Sequence, residues 1–483
     1  MIRRYLTDPQ ADRFLVYAFV AWGASIVHPA IGFLLQFPAI IYLTWRCELK
    51  TVPALLVLVL GKSNFAFSGL EGQMALRFGI TLTGDSCLLI TAFFYALREL
   101  FSGRCGPGGL VGGLFWLLTF IPGAVMSYQG KKFGLSGAWS GPIMDALIPA
   151  LYYWGVSMGR TYEAEKDYFY KRLLVVIVGL AFLKMLFVFN VFSFWFTPML
   201  LCTGMYALNQ TGLRKQSGFS MVMGVLAILV SFLLTLFWRR MALESAIESD
   251  YSAKDLSDAD KVGSTFSAMA TFACAWMAAV CFRRGVLKPL YSALPVLMVI
   301  ANLSLVTYVV TTQRGNRQKE TVADYSSFIE RFQYKLFADR ANVWGMGWDE
   351  TWTPPLIFKD LRQAYVYGRD GMQSISLLPH NQFLTLFGRR GWWLGGYLSL
   401  FFIAIWVRAC RVLAHNKQDR FLAMVMLPCG IAEFLVVGTT GQSAVAGTLW
   451  GDGLATIVFP GIAYGMSLCN RGTKLKITLS QHL

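Results

Sequence analysis

Apolar positions along this chain come in long blocks rather than in helical stripes or strand alternation. Runs almost free of charge fall at about 14–28, 30–45, 51–69, 79–97, 109–127, 142–158, 173–189, 191–208, 218–238, 264–282, 289–311, 393–408, 421–440 and 447–468. A helix needs about 20 apolar residues to cross a bilayer, and lipid tolerates no unsatisfied backbone. The pattern therefore predicts an all-α polytopic membrane protein with about 12–14 transmembrane helices. Its spans enclose one large, mostly helical loop.

The polar intervals orient these spans. With the N-terminus in the cytoplasm and strict alternation, the inside loops carry Arg46 and Lys50; Arg98 and Arg104; Arg160, Lys166, Lys171 and Arg172; Arg214 and Lys215; Arg283, Arg284 and Lys288; and Arg408, Arg411, Lys417 and Arg420. Every inside loop is basic, as the positive-inside rule requires. The C-terminal tail, with Arg471, Lys474 and Lys476, is inside as well. Counting twelve spans leaves this orientation unchanged. Two sizeable segments fall outside: an acidic one at 239–263 and a longer one at 312–392. The chain thus divides into a membrane domain (1–311, eleven spans), a long outside loop (312–392), and the last three spans with the tail (393–483).

A loop as long as 312–392 is rarely a passive connection. Its end, Leu378-Pro379-His380-Asn381-Gln382-Phe383-Leu384-Thr385-Leu386-Phe387-Gly388, has helical spacing, with Phe383, Leu384 and Phe387 at i+3, i+4 and i+7 from His380. Pro379 suits a first helical position and Gly388 an exit. This predicts a short amphipathic helix on the membrane surface, with His380 in its first turn. The positive end of the helix disfavours imidazolium, and a neutral imidazole can act as a general base. On this reading His380 is the one extracytoplasmic histidine of the four, and Arg389 and Arg390 lie at headgroup level. An interfacial helix whose histidine merely caps or snorkels has the same spacing.

Composition narrows the choice further. The chain has 483 residues, 55% hydrophobic and 14% charged, with a formal charge of +16 and mean hydropathy +0.50. The positive-inside rule explains most of the excess charge, so it does not point to nucleic acid. Arg3, Arg4 and Arg13 before the first run read as the flank of an uncleaved anchor. The nine cysteines form no motif, which argues against a structural disulfide or a cysteine metal site. No Walker sequence, HExxH or GxSxG occurs, and Asp258 with Asp260 lies in an acidic, solvated loop. No cofactor or metal is expected.

Outside basic residues are more informative, because the positive-inside rule does not account for them. They include Lys131, Lys132, Arg239, Arg240, Lys261, Arg314, Arg317, Arg331, Lys335, Arg340, Arg362, Arg369, Arg389 and Arg390. Guanidinium grips phosphate with a planar fork of donors. A cluster at headgroup depth suits a lipid-linked diphosphate; contact with ordinary anionic lipid is the plainer alternative. Lys62, Asp85, Asp145, Glu433 and Asp452 fall inside spans. Such residues mark functional sites or structural ion pairs.

Around 340–396 the sequence resembles the O-antigen ligase and O-antigen polymerase superfamily of bacterial inner-membrane glycosyltransferases, which are similar to GT-C enzymes in build. Arg340-Ala341-Asn342-Val343-Trp344 is similar to the family's Arg–x–x–hydrophobic–Trp element. His380-Asn381 with Phe383, Leu384, Gly388 and Gly391 is similar to its second element, just before the next span. The resemblance implies an undecaprenyl-diphosphate glycan donor and a sugar acceptor, either lipid A core or a second lipid-linked repeat. It implies His380 as base, Arg340 and a second cation as diphosphate ligands, and Asn381 and Trp344 in support. Lysine, at Lys261, stands where the family has its other arginine. The second cation is left among Lys261, Arg214, Arg239 and Arg240, with Arg314, Arg317, Arg389 and Arg390 as further diphosphate ligands.

Two other readings compete. A multi-span lipid or glycan flippase would fit Lys62, Asp85 and Glu433, but such proteins usually show related halves and no dominant outside loop. A non-catalytic assembly protein of an envelope complex is the other.

Overall fold

The computed structural model describes residues 9–63, 76–77, 81–82, 84–104, 109–132, 141–166, 168–169, 172–173, 176, 343–344, 386–387, 390–415 and 457–469. These are helical almost throughout; the exception is a minimal antiparallel pair, Leu76–Arg77 with Thr81–Leu82. The helices are α1 (Pro9–Val27), α2 (Pro29–Arg46), α3 (Val52–Ser63), α4 (Gly84–Phe101), α5 (Gly109–Leu118), α6 (Phe120–Lys132), α7 (Gly141–Leu147), α8 (Pro149–Gly159), α9 (Gly396–His415) and α10 (Ile457–Cys469). They overlap the predicted first to sixth, twelfth and fourteenth spans. The predicted spans at 191–208, 218–238, 264–282, 289–311 and 421–440 lie outside the described residues.

Two of the predicted spans are broken, and proline breaks both. Pro122 lacks an N–H and its ring crowds the carbonyl of Leu118, where α5 ends. Thr119 closes the gap, donating its hydroxyl to the Trp116 carbonyl at 2.6 Å. Pro149 has the same effect on the carbonyl of Asp145. There the Ile148 N–H bonds to Asp145 O at 3.2 Å instead, and α7 gives way to α8. The stretch Gly109–Tyr128 (20 residues) and the stretch Gly391–Val412 (22 residues) are long and apolar enough to cross a membrane. At 1.5 Å per residue each reaches about 30 Å.

Helix α8 is the centre of the described bundle: all its residues are buried. Trp116, fully buried, stacks on Tyr153 at 5.6 Å and donates to the Ala146 carbonyl at 2.6 Å. Trp154 donates to Thr44 O at 2.9 Å, and the Cys47 thiol donates back to Trp154 O at 3.4 Å. That exchange ties the end of α2 to α8 and holds Cys47 in a left-handed conformation, φ 53°. Burial pushes the Cys47 thiol well above its usual range, so it packs rather than reacts.

Among the described residues, α8 and α10 approach each other backbone to backbone. Gly155 and Gly159 face Gly461 and Gly465, each pair spaced four apart. A Cβ on Gly159 would lie 2.9 Å from the Gly465 Cα, and one on Gly461 would lie 3.0 Å from the Gly155 Cα. Small residues at this spacing let helices dock backbone to backbone, the preferred contact where lipid removes the hydrophobic drive between helices. Residue numbers rise together along the contact, so the two helices are parallel. Outer faces elsewhere carry exposed large apolar side chains, among them Leu114, Phe115 and Leu118 on α5.

One end of this bundle carries a row of charged contacts between the described helices. Arg46 bonds Glu48 at 2.8 Å, and Glu165 accepts from the Lys50 N–H at 3.1 Å. Asp12 accepts from Tyr168 at 2.8 Å and pairs with Arg172 at 2.5 Å. The N-terminal end of α1 therefore lies with these loops, and His28, in the α1–α2 turn, lies at the other end. On the predicted orientation that makes His28 an extracytoplasmic histidine too. His380 is not unique in this respect, because a two-helix hairpin starting inside must turn outside.

Candidate functional site

The far end of α7 gathers the described remnants of both sequence elements. Asp145 sits at the proline break, where the helix yields, and points its carboxylate at Arg390. Arg390 Nε donates to Asp145 Oδ2 in a pair of which the arginine is 2% exposed. The sequence places Arg390 at headgroup level, and its side chain is buried against Asp145. The physical reason is Asp145 itself, whose cost in an apolar span is offset by drawing in an opposite charge. Its diphosphate role therefore competes with a carboxylate already in contact.

The backbone around Arg390 explains how it gets there. Gly391 has φ +70°, a conformation glycine adopts without strain, and it turns the chain into a wide helical turn at Gly391–Gly395. Such i→i+5 turns are uncommon and recur at functional sites. The helical pair Leu386 and Phe387 folds back on this turn, and a Cβ on Gly395 would lie 2.6 Å from the Leu386 carbonyl carbon. Continuation into α9 gives the apolar stretch its full length.

Trp344 reaches the same place from the other element. Its ring lies 5.8 Å from that of Trp393, and the Trp393 N–H donates to the Val343 carbonyl at 3.4 Å. A helix start leaves N–H groups without intrahelical partners, and Val343 satisfies one of them. Segment 343–344 and the turn at Gly391–Gly395 are therefore in contact, across some fifty residues of sequence. Of the predicted site residues, the structure brings together Trp344 and Arg390 at this end. His380, Asn381, Arg340, Arg389, Lys261, Arg314 and Arg317 lie outside the described residues, as do Glu433 and Asp452. So do the side chains of Lys62 and Asp85, although both residues fall in helices.

A second cluster was not expected from the sequence. Glu99, 1% exposed, ends α4 and accepts from Arg160 at 3.1 Å and Ser157 at 3.2 Å. Arg98 and Arg104 approach its other oxygen at 3.4 Å each. Gly103, with φ +70°, closes α4: its N–H bonds Leu100 O at 3.1 Å, and the Arg104 N–H bonds Glu99 O at 3.2 Å. That cap folds Arg104 back over the carboxylate. The positive-inside pattern places Arg98, Arg104 and Arg160 in inside loops but does not single out Glu99, one glutamate beside those arginines.

No family model matches the chain, and no curated protein or solved structure matches it.

Proposed function

We propose that the chain is a membrane glycosyltransferase of the O-antigen ligase or polymerase type, working at the periplasmic face of a bacterial inner membrane. It moves a glycan from an undecaprenyl-diphosphate donor to a sugar acceptor. The observation that carries this reading is the contact of Trp344, in the first sequence element, with Trp393, two residues past the second. Four residues of extended chain reach at most about 14 Å, which bounds the distance from Trp344 to Arg340; the six from Leu386 to His380 allow about 21 Å. Two points of the outer segment, Trp344 and the stretch entering Gly391–Gly395, thus meet at one patch beside α7.

In the proposed reaction, His380 takes the proton from an acceptor hydroxyl. The oxygen attacks the anomeric carbon as its bond to the diphosphate breaks, inverting that centre. Undecaprenyl diphosphate leaves, its new charge held by fixed cations, Arg340 first among them. Guanidinium suits this task, since its fork can meet two phosphate oxygens together.

The test uses purified full-length protein, a lipid-linked glycan donor and candidate sugar acceptors, read as a mobility shift of the acceptor. His380→Ala is expected to abolish transfer while the protein still inserts, and Arg340→Lys to reduce it severely. Normal turnover by His380→Ala removes the histidine from the mechanism. In cells, loss of all attached polymer identifies a ligase, and attachment of single repeats identifies a polymerase.

A further inference from the structure

The Glu99 cluster holds more positive charge than its carboxylate balances. Three guanidiniums, from Arg98, Arg104 and Arg160, surround one glutamate. Two helix C-termini, of α4 and α8, end here and contribute about half a negative charge each. About one positive charge remains. Among the described residues no second carboxylate contacts these arginines. Glu48 bonds Arg46 and approaches Lys50, and Glu165 accepts from Lys50. The Arg104 side chain is 60% exposed and that of Arg98 45%, and each reaches Glu99 through one N–H, at 3.4 Å.

The cluster adjoins an apolar outer face. Phe94, Arg98 and Phe101 lie at i, i+4 and i+7 along α4, and both phenylalanines are exposed. On neighbouring α2, Ile41 and Trp45 are exposed as well. The Arg98 guanidinium lies 5.1 Å from the Trp45 ring and 4.5 Å from that of Tyr95, which fixes the cation where the two helices meet. One positive charge beside exposed apolar side chains matches an amphiphile with one negative charge and hydrocarbon chains.

We propose that Arg98, Arg104 and Arg160 form a headgroup site for one anionic phospholipid, whose chains lie on the exposed faces of α2 and α4. A basic pocket between helices at the predicted cytoplasmic end is suited to this chemistry. The site rests on the membrane reading of the chain and not on the proposed transferase chemistry. It is separated from Asp145 by the helical stretch from Asp145 to Arg160, about 22 Å at 1.5 Å per residue.

The experiment is native mass spectrometry of the full chain in detergent, with added phosphatidylglycerol or phosphatidylcholine. Wild type is expected to retain phosphatidylglycerol preferentially. Each arginine lost should lower retention about fivefold, so R98Q/R104Q loses about 25-fold, while R98K/R104K keeps most of it. Arg13→Gln, an exposed charge on α1, should change nothing. Where the double variant fails to fold, Arg104→Gln alone reads the fivefold effect. Equal retention of the two lipids, or undiminished phosphatidylglycerol on a folded Gln variant, overturns the proposal. Displacement of the lipid by millimolar inorganic phosphate also overturns it, by showing a site for free anions.

Discussion

An alanine methyl group should stabilise this protein at Gly23 and destabilise it at Gly159 or Gly465. In a helix interior, glycine to alanine gains about 1 kcal/mol from backbone entropy and propensity. At Gly23 in α1 nothing lies within 4 Å of the added Cβ, so the whole gain is realised. At Gly159 the Cβ would sit 2.9 Å from the Gly465 Cα, where ordinary contact is 3.4–4 Å. Helices α8 and α10 must then part by roughly 0.5–1 Å. The opposing atoms are backbone, so no rotamer change relieves them, and the strain belongs at the upper end of the about 1–3 kcal/mol range for overpacking. Overpacking wins by about 2 kcal/mol. Gly465→Ala meets Gly159 Cα at 3.0 Å and should behave alike. One displacement makes room for both methyl groups, so the double variant should cost clearly less than the sum of the singles. Thermal unfolding of the detergent-solubilised chain, followed by tryptophan fluorescence, reads these signs as shifts on the order of 2 °C per kcal/mol. A Tm for Gly159→Ala that rises as it does for Gly23→Ala would refute the close α8–α10 contact.

Two further outcomes follow from the charged groups. Asp145→Asn leaves Arg390 buried without its counter-charge and should cost about 3–5 kcal/mol, whereas D145L/R390M should recover most of that; equal Tm values for Asp145→Asn and wild type would rule out the pair. Burial pushes the Glu165 carboxyl up, so its contribution to stability is present below its unfolded pKa and is lost as pH rises through its folded one. Glu165→Gln is free of that loss, so its Tm relative to wild type should climb between mildly acid and neutral pH; a flat or falling difference counts against the burial.

Much of the fold was legible because span length and loop charge are additive signals. Arg46, Arg98, Arg160 and Arg172, assigned to one side by charge alone, meet at one end of the bundle through contacts with Glu48, Glu99 and Asp12. The parallel course of α8 and α10 also agrees with two spans of like direction. Contacts between distant segments were not legible. Gly155 and Gly159 were visible at helical spacing, but nothing local names Gly461 and Gly465 as their partners. Asp145 was recognised as costly in an apolar span, while Arg390 was read from its neighbour Arg389 and from the segment's amphipathic face. A pairing across 245 residues leaves no periodic trace.

That pairing changes what the outer site can be. A cation that holds a departing diphosphate must gain more from the phosphate than from its resting partner, since only the difference lowers the barrier. Arg390 already faces Asp145 in a buried setting, where separating a pair is costly. Its more economical role is to fix the turn at Gly391–Gly395, and with it Trp393 and the strand of contacts to Val343 and Trp344. Under the proposed chemistry the diphosphate then falls to other cations, with Arg340 nearest in sequence to the anchored tryptophan. Arg390 acts as a positioning residue. D145L/R390M should accordingly slow transfer by misplacing the outer segment, whereas Arg340→Lys should slow it even with that segment anchored. A double variant that keeps full turnover would separate the anchor from the chemistry and return Arg390 to a purely structural part.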